Sequence, residues 1–171
     1  MLDPYDRLQL VSELRPPDGY EFDAGIGTTF SLDLESLLTV PLSLALCEFE
    51  SRDEAMKNPE AVLEGLRRNA GKLHVFCHRS RIKRPKEGTV LFSFLEDMVV
   101  QALPKSGTGA FHPKVWVLRY TREEEAMLRV LVLSRNLTFD KSWDTAVVLE
   151  GAVQVDRPSG VRKNRRLAQF V

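Results

Sequence analysis

FHPKVWVLRYTREEEAMLRVLVLSRNLTFDKSWDTAVVLEG, residues Phe111 to Gly151, reads as three consecutive strands. Val115–Arg119 and Leu128–Leu133 are rich in β-branched and large apolar residues, and the charged Thr121–Glu125 between them has the composition of a hairpin loop. A third run, Thr145–Leu149, follows the polar segment Asn136–Asp144. Four polar residues sit at strand ends: His112 and Lys114 where the first begins, Ser134 and Asn136 where the second stops. Antiparallel pairing sets the start of one strand beside the end of the other. An imidazole, an ammonium, a hydroxyl and a carboxamide then converge at one sheet edge, an arrangement suited to holding an anion. Ser134-Arg135-Asn136-Leu137-Thr138 equally suits ordinary turn chemistry, because Ser, Asn and Thr side chains bond local backbone.

Outward from this stretch, helices and strands alternate. Leu2–Leu14 reads as a short helix with Asp3 as N-cap and Pro4 in its first turn, ended by the turn Arg15–Gly19. Ala24–Ser31 is a strand whose Gly25 and Gly27 allow a bend or a close backbone approach. Asp33 then caps a helix over Leu34–Cys47, apolar nearly all round and therefore buried, which Pro41 is expected to kink or split. Asn58-Pro59 opens an amphipathic helix, Glu60–Asn69, with Gly71 beyond its end. Lys72–Cys77 is a buried-type strand, and its His74 reads as a core or strand-face histidine rather than a catalytic one. Leu91–Ala102 reads as a further helix, with strand as the alternative for its first half, and Pro104–Gly109 as a flexible connector to His112. Val161–Val171 begins a helix with Leu167, Phe170 and Val171 apolar. The expectation is one α/β domain, a mixed β-sheet flanked by helices on both faces. Residues 1–19 form its N-terminal helix and turn, 20–151 its core, and 152–171 a basic C-terminal helix or the start of a second half.

His112-Pro113-Lys114, a strand, a hairpin, a second strand and Ser134-Arg135-Asn136 resemble the H-x-K…S-x-N signature of the phospholipase D superfamily. The apolar strand after Lys114 and Trp143-Asp144 after Asn136 most resemble its tyrosyl-DNA phosphodiesterase branch and the HKD-type nucleases. Gly27-Thr28-Thr29-Phe30-Ser31-Leu32-Asp33 is similar to the opening of that domain. The longer signature has Asp where this chain has Arg119, as tyrosyl-DNA phosphodiesterases also lack it. The resemblance implies a phospholipase D-like half-domain that cleaves phosphodiesters through a phosphohistidine, without metal or other cofactor. His112 would be the nucleophile, with Lys114, Asn136 and Ser134 holding phosphate oxygens. The family site uses two H-x-K motifs and this chain has one, since neither His74 nor His78 is followed by the required lysine. A homodimer partner or a second half-domain would therefore supply the other.

At 171 residues the chain is long enough for one sizeable core. No apolar run approaches the roughly 20 residues of a membrane span; the nearest, Leu37–Leu46, contains Pro41. The N-terminus lacks a basic leader with an apolar run after it, and Cys47 and Cys77 read as buried free thiols, together pointing to the cytoplasm. Lysines and arginines balance the carboxylates at 24 each, so distribution rather than net charge is informative. Basic residues cluster in Arg79, Arg81, Lys83, Arg84 and Lys86, and again in Arg162, Lys163, Arg165 and Arg166. Either cluster can be a solvated face or a phosphate-backbone contact. The reading that follows is a nucleic-acid phosphodiesterase. Its alternatives are a non-catalytic phosphate-binding module of the same fold and a phospholipid-active enzyme.

Overall fold

The computed structural model describes residues 10–49, 51–104, 107–139 and 144–153, together with Arg165 and Gln169. In chain order, α1 (Leu10–Glu13), β1 (Glu21–Thr29), β2 (Leu32–Asp33), α2 (Leu34–Leu46), α3 (Arg52–Lys57), α4 (Pro59–Ala70), β3 (Leu73–His78) and β4 (Ile82–Lys83) come first. A 3₁₀-helix (Val90–Leu95), β5 (Val99–Ala102), β6 (Val115–Arg122), β7 (Glu125–Leu133) and β8 (Ala146–Ala152) follow. Six strands make one mixed sheet in the order β5-β3-β1-β6-β7-β8. β1, β3 and β5 are parallel, while β6, β7 and β8 run antiparallel to their neighbours. β2 and β4 form a separate parallel pair.

The expected hairpin is present, with pairing from Val115↔Val132 to Arg122↔Glu125. Its turn is tighter than Thr121–Glu125, only Glu123 and Glu124, and Glu123 adopts a left-handed φ of 52°. Asp33 caps α2 as its sequence suggests, Oδ1 accepting from the Glu35 amide at 3.0 Å. Pro41 neither splits α2 nor ends it; the helix runs through it as one element of 13 residues. α4 begins on Pro59 and ends at Gly71. Before it lies α3, absent from the sequence reading, whose N-cap Ser51 accepts from the Glu54 amide.

Three expectations are corrected. Leu91–Ala102 is not a helix: a 3₁₀ segment ends at Leu95, and Val99–Ala102 becomes β5, paired with β3 from Val75↔Val99 to His78↔Ala102. An apolar run of this length has no period that separates helix from strand, and the neighbouring strand decides. Cys47, expected buried, is exposed just beyond α2, whereas Cys77 is buried in β3. Helices were expected on both sheet faces; among the described residues they pack on one. That face carries Leu73, Val75, Cys77, Trp116, Leu118, Tyr120 and Leu131, in one core with Leu37, Val40 and Leu44 of α2. The opposite face of β7 and β8 presents Val132, Val147 and Leu149 to solvent, 44, 53 and 58% exposed. Most of the expected C-terminal helix, all but Arg165 and Gln169, and most of the N-terminal one, with residues 105 and 106 of the connector, fall outside the described residues.

The N-terminal turn is tied to the sheet by a buried cation. Arg129 donates through Nη1 to the carbonyls of Glu13 and Arg15, at 2.6 and 2.8 Å, and through Nε to Glu150 at 2.5 Å. Its guanidinium lies 5.2 Å from the ring centroid of Tyr120, whose hydroxyl donates to the Leu14 carbonyl. Burial drives the Tyr120 phenol well above its ordinary pKa. No described helix is long and apolar enough to cross a membrane.

Candidate functional site

The three parallel strands end on one side of the sheet, and β6 starts there because it runs antiparallel to β1. Ligand crevices in sheets with parallel strands open at their carboxyl ends. The end of β1 is stitched to both halves of the hairpin by two adjacent threonines. Thr28 Oγ1 donates to the Val115 carbonyl (3.0 Å) and accepts from the Val115 amide (2.8 Å), which fixes the start of β6. Thr29 Oγ1 donates to the Ser31 carbonyl and accepts from the Leu137 amide at 3.0 Å, which fixes the chain just after Asn136.

Phe30 is the hub. Its amide donates to Asn136 Oδ1 at 3.2 Å across 106 positions of sequence. The carboxamide oxygen is thereby given to the backbone, and the NH2 is what Asn136 offers an anion. The Phe30 ring lies 4.9 Å, centroid to centroid, from the imidazole of His112 and 5.3 Å from that of His78. The Arg81 guanidinium stands 5.3 Å from the same centroid. His78 Nδ1 accepts from the Phe111 amide at 3.2 Å, so it also holds the residue before His112.

His112 is exposed, and Lys114, two residues on, is only 8% exposed. The Lys114 ammonium lies 3.0 Å from His112 Nδ1 and 3.2 Å from Nε2, and donates to the His112 carbonyl at 3.3 Å. Burial lowers its pKa below the ordinary lysine value. A desolvated ammonium with weak partners is suited to an anion, whose charge would restore what burial removes. The sign of the pH dependence follows. In the window between the lowered and the ordinary lysine pKa the unfolded chain binds the extra proton, so stability rises with pH. Anion affinity falls through the same window. Inorganic phosphate binding, followed by calorimetry at alkaline pH, is expected to weaken before an ordinary lysine would titrate. Lys114→Arg, whose guanidinium stays charged, should carry binding to higher pH; an unchanged profile would remove Lys114 from the site.

His112 and Asn136 thus both meet Phe30, and Lys114 is held beside His112. Ser134 is not turned to them: its hydroxyl donates to Asp144 Oδ1 (2.8 Å) and accepts from the Thr145 amide (2.9 Å), bracing the β7–β8 connection. Arg135 adds an ion pair to Asp144 at 3.6 Å. The basic cluster after β3 divides. Arg79, Arg81 and Lys86 are exposed, whereas Lys83 is tied at 2.9 Å to the buried Asp33 carboxylate that caps α2. Arg84 lines a neighbouring cavity. Of the C-terminal cluster Arg165 is exposed, and Arg162 and Lys163 fall outside the described residues. His74 lies on an exposed strand face, 3.3 Å from the Asp97 carbonyl.

Thr28, Thr29, Phe30 and His78 are the positions that residue spacing alone does not bring to the site. Their contacts span tens of residues, and no local pattern encodes them; the sole sequence signal was the resemblance of Gly27–Asp33 to a domain opening. Among the described residues no three His, Cys, Asp or Glu side chains come together as a metal-binding group. No family model and no curated protein matches this chain.

Proposed function

We propose that this chain is a phosphodiesterase acting on nucleic acid, of the HKD type within the phospholipase D superfamily. The observation that carries the reading is the convergence on Phe30 of an exposed imidazole and a carboxamide whose donor half is left for a ligand, with a buried ammonium beside the imidazole. An imidazole nitrogen of His112 attacks phosphorus, the bond to the leaving oxygen breaks, and a phosphohistidine forms that water then hydrolyses. Lys114 and Asn136 hold the non-bridging oxygens as charge builds on them. The leaving oxygen needs a proton, worth about 10²–10⁴-fold in rate. A second H-x-K set provides it, from another copy across a twofold axis or from a further half-domain. Arg81, exposed at the Phe30 ring, and the exposed Arg79 two positions before it favour a polyanionic strand as substrate.

The test is turnover of bis(p-nitrophenyl) phosphate in EDTA, with molecular mass in solution measured alongside. Release of nitrophenolate by a dimer, with DNA affinity that falls steeply with salt, is the expected result. DNA binding without turnover would make the chain a phosphate-binding module. Turnover by a monomer would refute the shared site.

A further inference from the structure

We infer that the cavity on the far side of the basic turn is a nucleobase subsite, placed to take the base next to the phosphate held by His112, Lys114 and Asn136. This rests on the proposed function and names which part of a nucleic acid the chain reads. The cavity has a volume of about 460 Å³. Its apolar wall includes Ile82, Phe92 and Val99, and its polar lining includes Arg84, Glu96 and Gln101.

Its position links it to the anion site. The turn after β3 contributes Arg81 to the Phe30 ring on one side and Ser80 and Ile82 to the cavity on the other. Ser80 is held in the left-handed region, φ 65°, so the chain reverses between the two. Ile82 pairs with Leu32, and Leu32 bridges to Leu137, the residue after Asn136. Two strand spacings of about 4.8 Å each, roughly 10 Å in all, therefore separate the cavity wall from the carboxamide end of the site.

The lining selects the ligand class. A flat heteroaromatic ring has apolar faces and an edge of donors and acceptors. Phe92, Ile82 and Val99 meet the faces, while a guanidinium, a carboxylate and a carboxamide can meet the edge. An acyl chain would use none of the three polar groups, which are exposed and would keep water as their partner, so the lining offers a base edge contacts that it does not offer a lipid tail.

Three substrates separate the possibilities: thymidine 5′-(p-nitrophenyl) phosphate, methyl p-nitrophenyl phosphate and octyl p-nitrophenyl phosphate. The nucleoside diester is expected to show a KM about tenfold below the methyl diester, the scale of one base–aromatic contact. Phe92→Ser should erase that advantage without changing the methyl ester. Phe92 packs partly on the core, so the exposed Gln101→Ala serves as a second variant, with melting temperatures recorded for both. Equal KM values for the nucleoside and methyl diesters, or equal effects of both variants on the two, would overturn the subsite. Preference for the octyl diester would replace it with a lipid-chain groove. If no diester turns over, the proposed function fails first, and equilibrium dialysis decides the subsite alone. Thymidine 5′-monophosphate must then bind tighter than inorganic phosphate, and Gln101→Ala must remove the difference; otherwise the cavity is no base site.

Discussion

His112→Ala is expected to lower phosphodiester turnover by ~10³-fold or more, the scale of losing a nucleophile, while salt-sensitive DNA binding stays largely intact. The split follows from the geometry. In the proposed mechanism the exposed imidazole would supply the attacking nitrogen, whereas the anion's counter-charges would come from the buried Lys114 next to it and from Arg81 at the Phe30 ring. Removing an exposed ring whose contacts include Phe30 and Lys114 should leave the fold undisturbed. In a shared site, mixing mutant with wild-type chains should lower activity below the simple average, because mixed dimers lose one histidine of the pair. Nitrophenolate release and filter binding on the same preparations give both readouts. Undiminished turnover in the variant would dismiss His112 as nucleophile, and equal loss of binding and turnover would assign the ring to phosphate contact alone.

Trp116→Ala is expected to cost about 3–5 kcal/mol, the range for deleting a large buried aromatic ring. Trp116 is 2% exposed and lies across β1 where the strand has no side chain: a Cβ at Gly27 would stand 3.0 Å from its ring. The absent Cβ and the indole are one packing solution. Gly27→Val should therefore destabilise by overpacking, about 1–3 kcal/mol, and the two changes together should cost clearly less than their sum, since the valine fills part of the vacated volume. Urea unfolding of the four proteins measures this; strictly additive losses would show that the ring and the glycine do not share that space. Trp116 also follows Lys114 by two positions on the same strand face, so the single variants are expected to loosen the anion site as well.

The most legible parts of this protein are those written in consecutive residues. The β-branched and large apolar runs Val115–Arg119 and Leu128–Leu133 mark the hairpin, whose pairing sets the H-x-K end at the start of β6 and Asn136 beyond the end of β7. Asp33 before α2, and Pro59 and Gly71 around α4, marked helix ends because capping is a contact between near neighbours. Leu91–Ala102 has no decisive period and reads as a helix, and only pairing with β3 makes Val99–Ala102 a strand. The resemblance implies that Ser134 holds phosphate, whereas its hydroxyl bonds Asp144 and the Thr145 amide on the next connection, in keeping with the turn chemistry its segment also suits. Lys83 looked like a free cation in a basic run until the fold brought the Asp33 carboxylate within 2.9 Å of it.

By itself, then, the sequence determined which residue types stand at the strand ends, because strand period and hairpin pairing are local properties. Tertiary structure alone decided that Phe30 and His78 enclose the motif, that Thr28 and Thr29 pin it, and that a cavity lies one turn away. Those contacts join β1, β3 and the hairpin across the sheet, and their free energy exists only once strands distant in the chain are side by side.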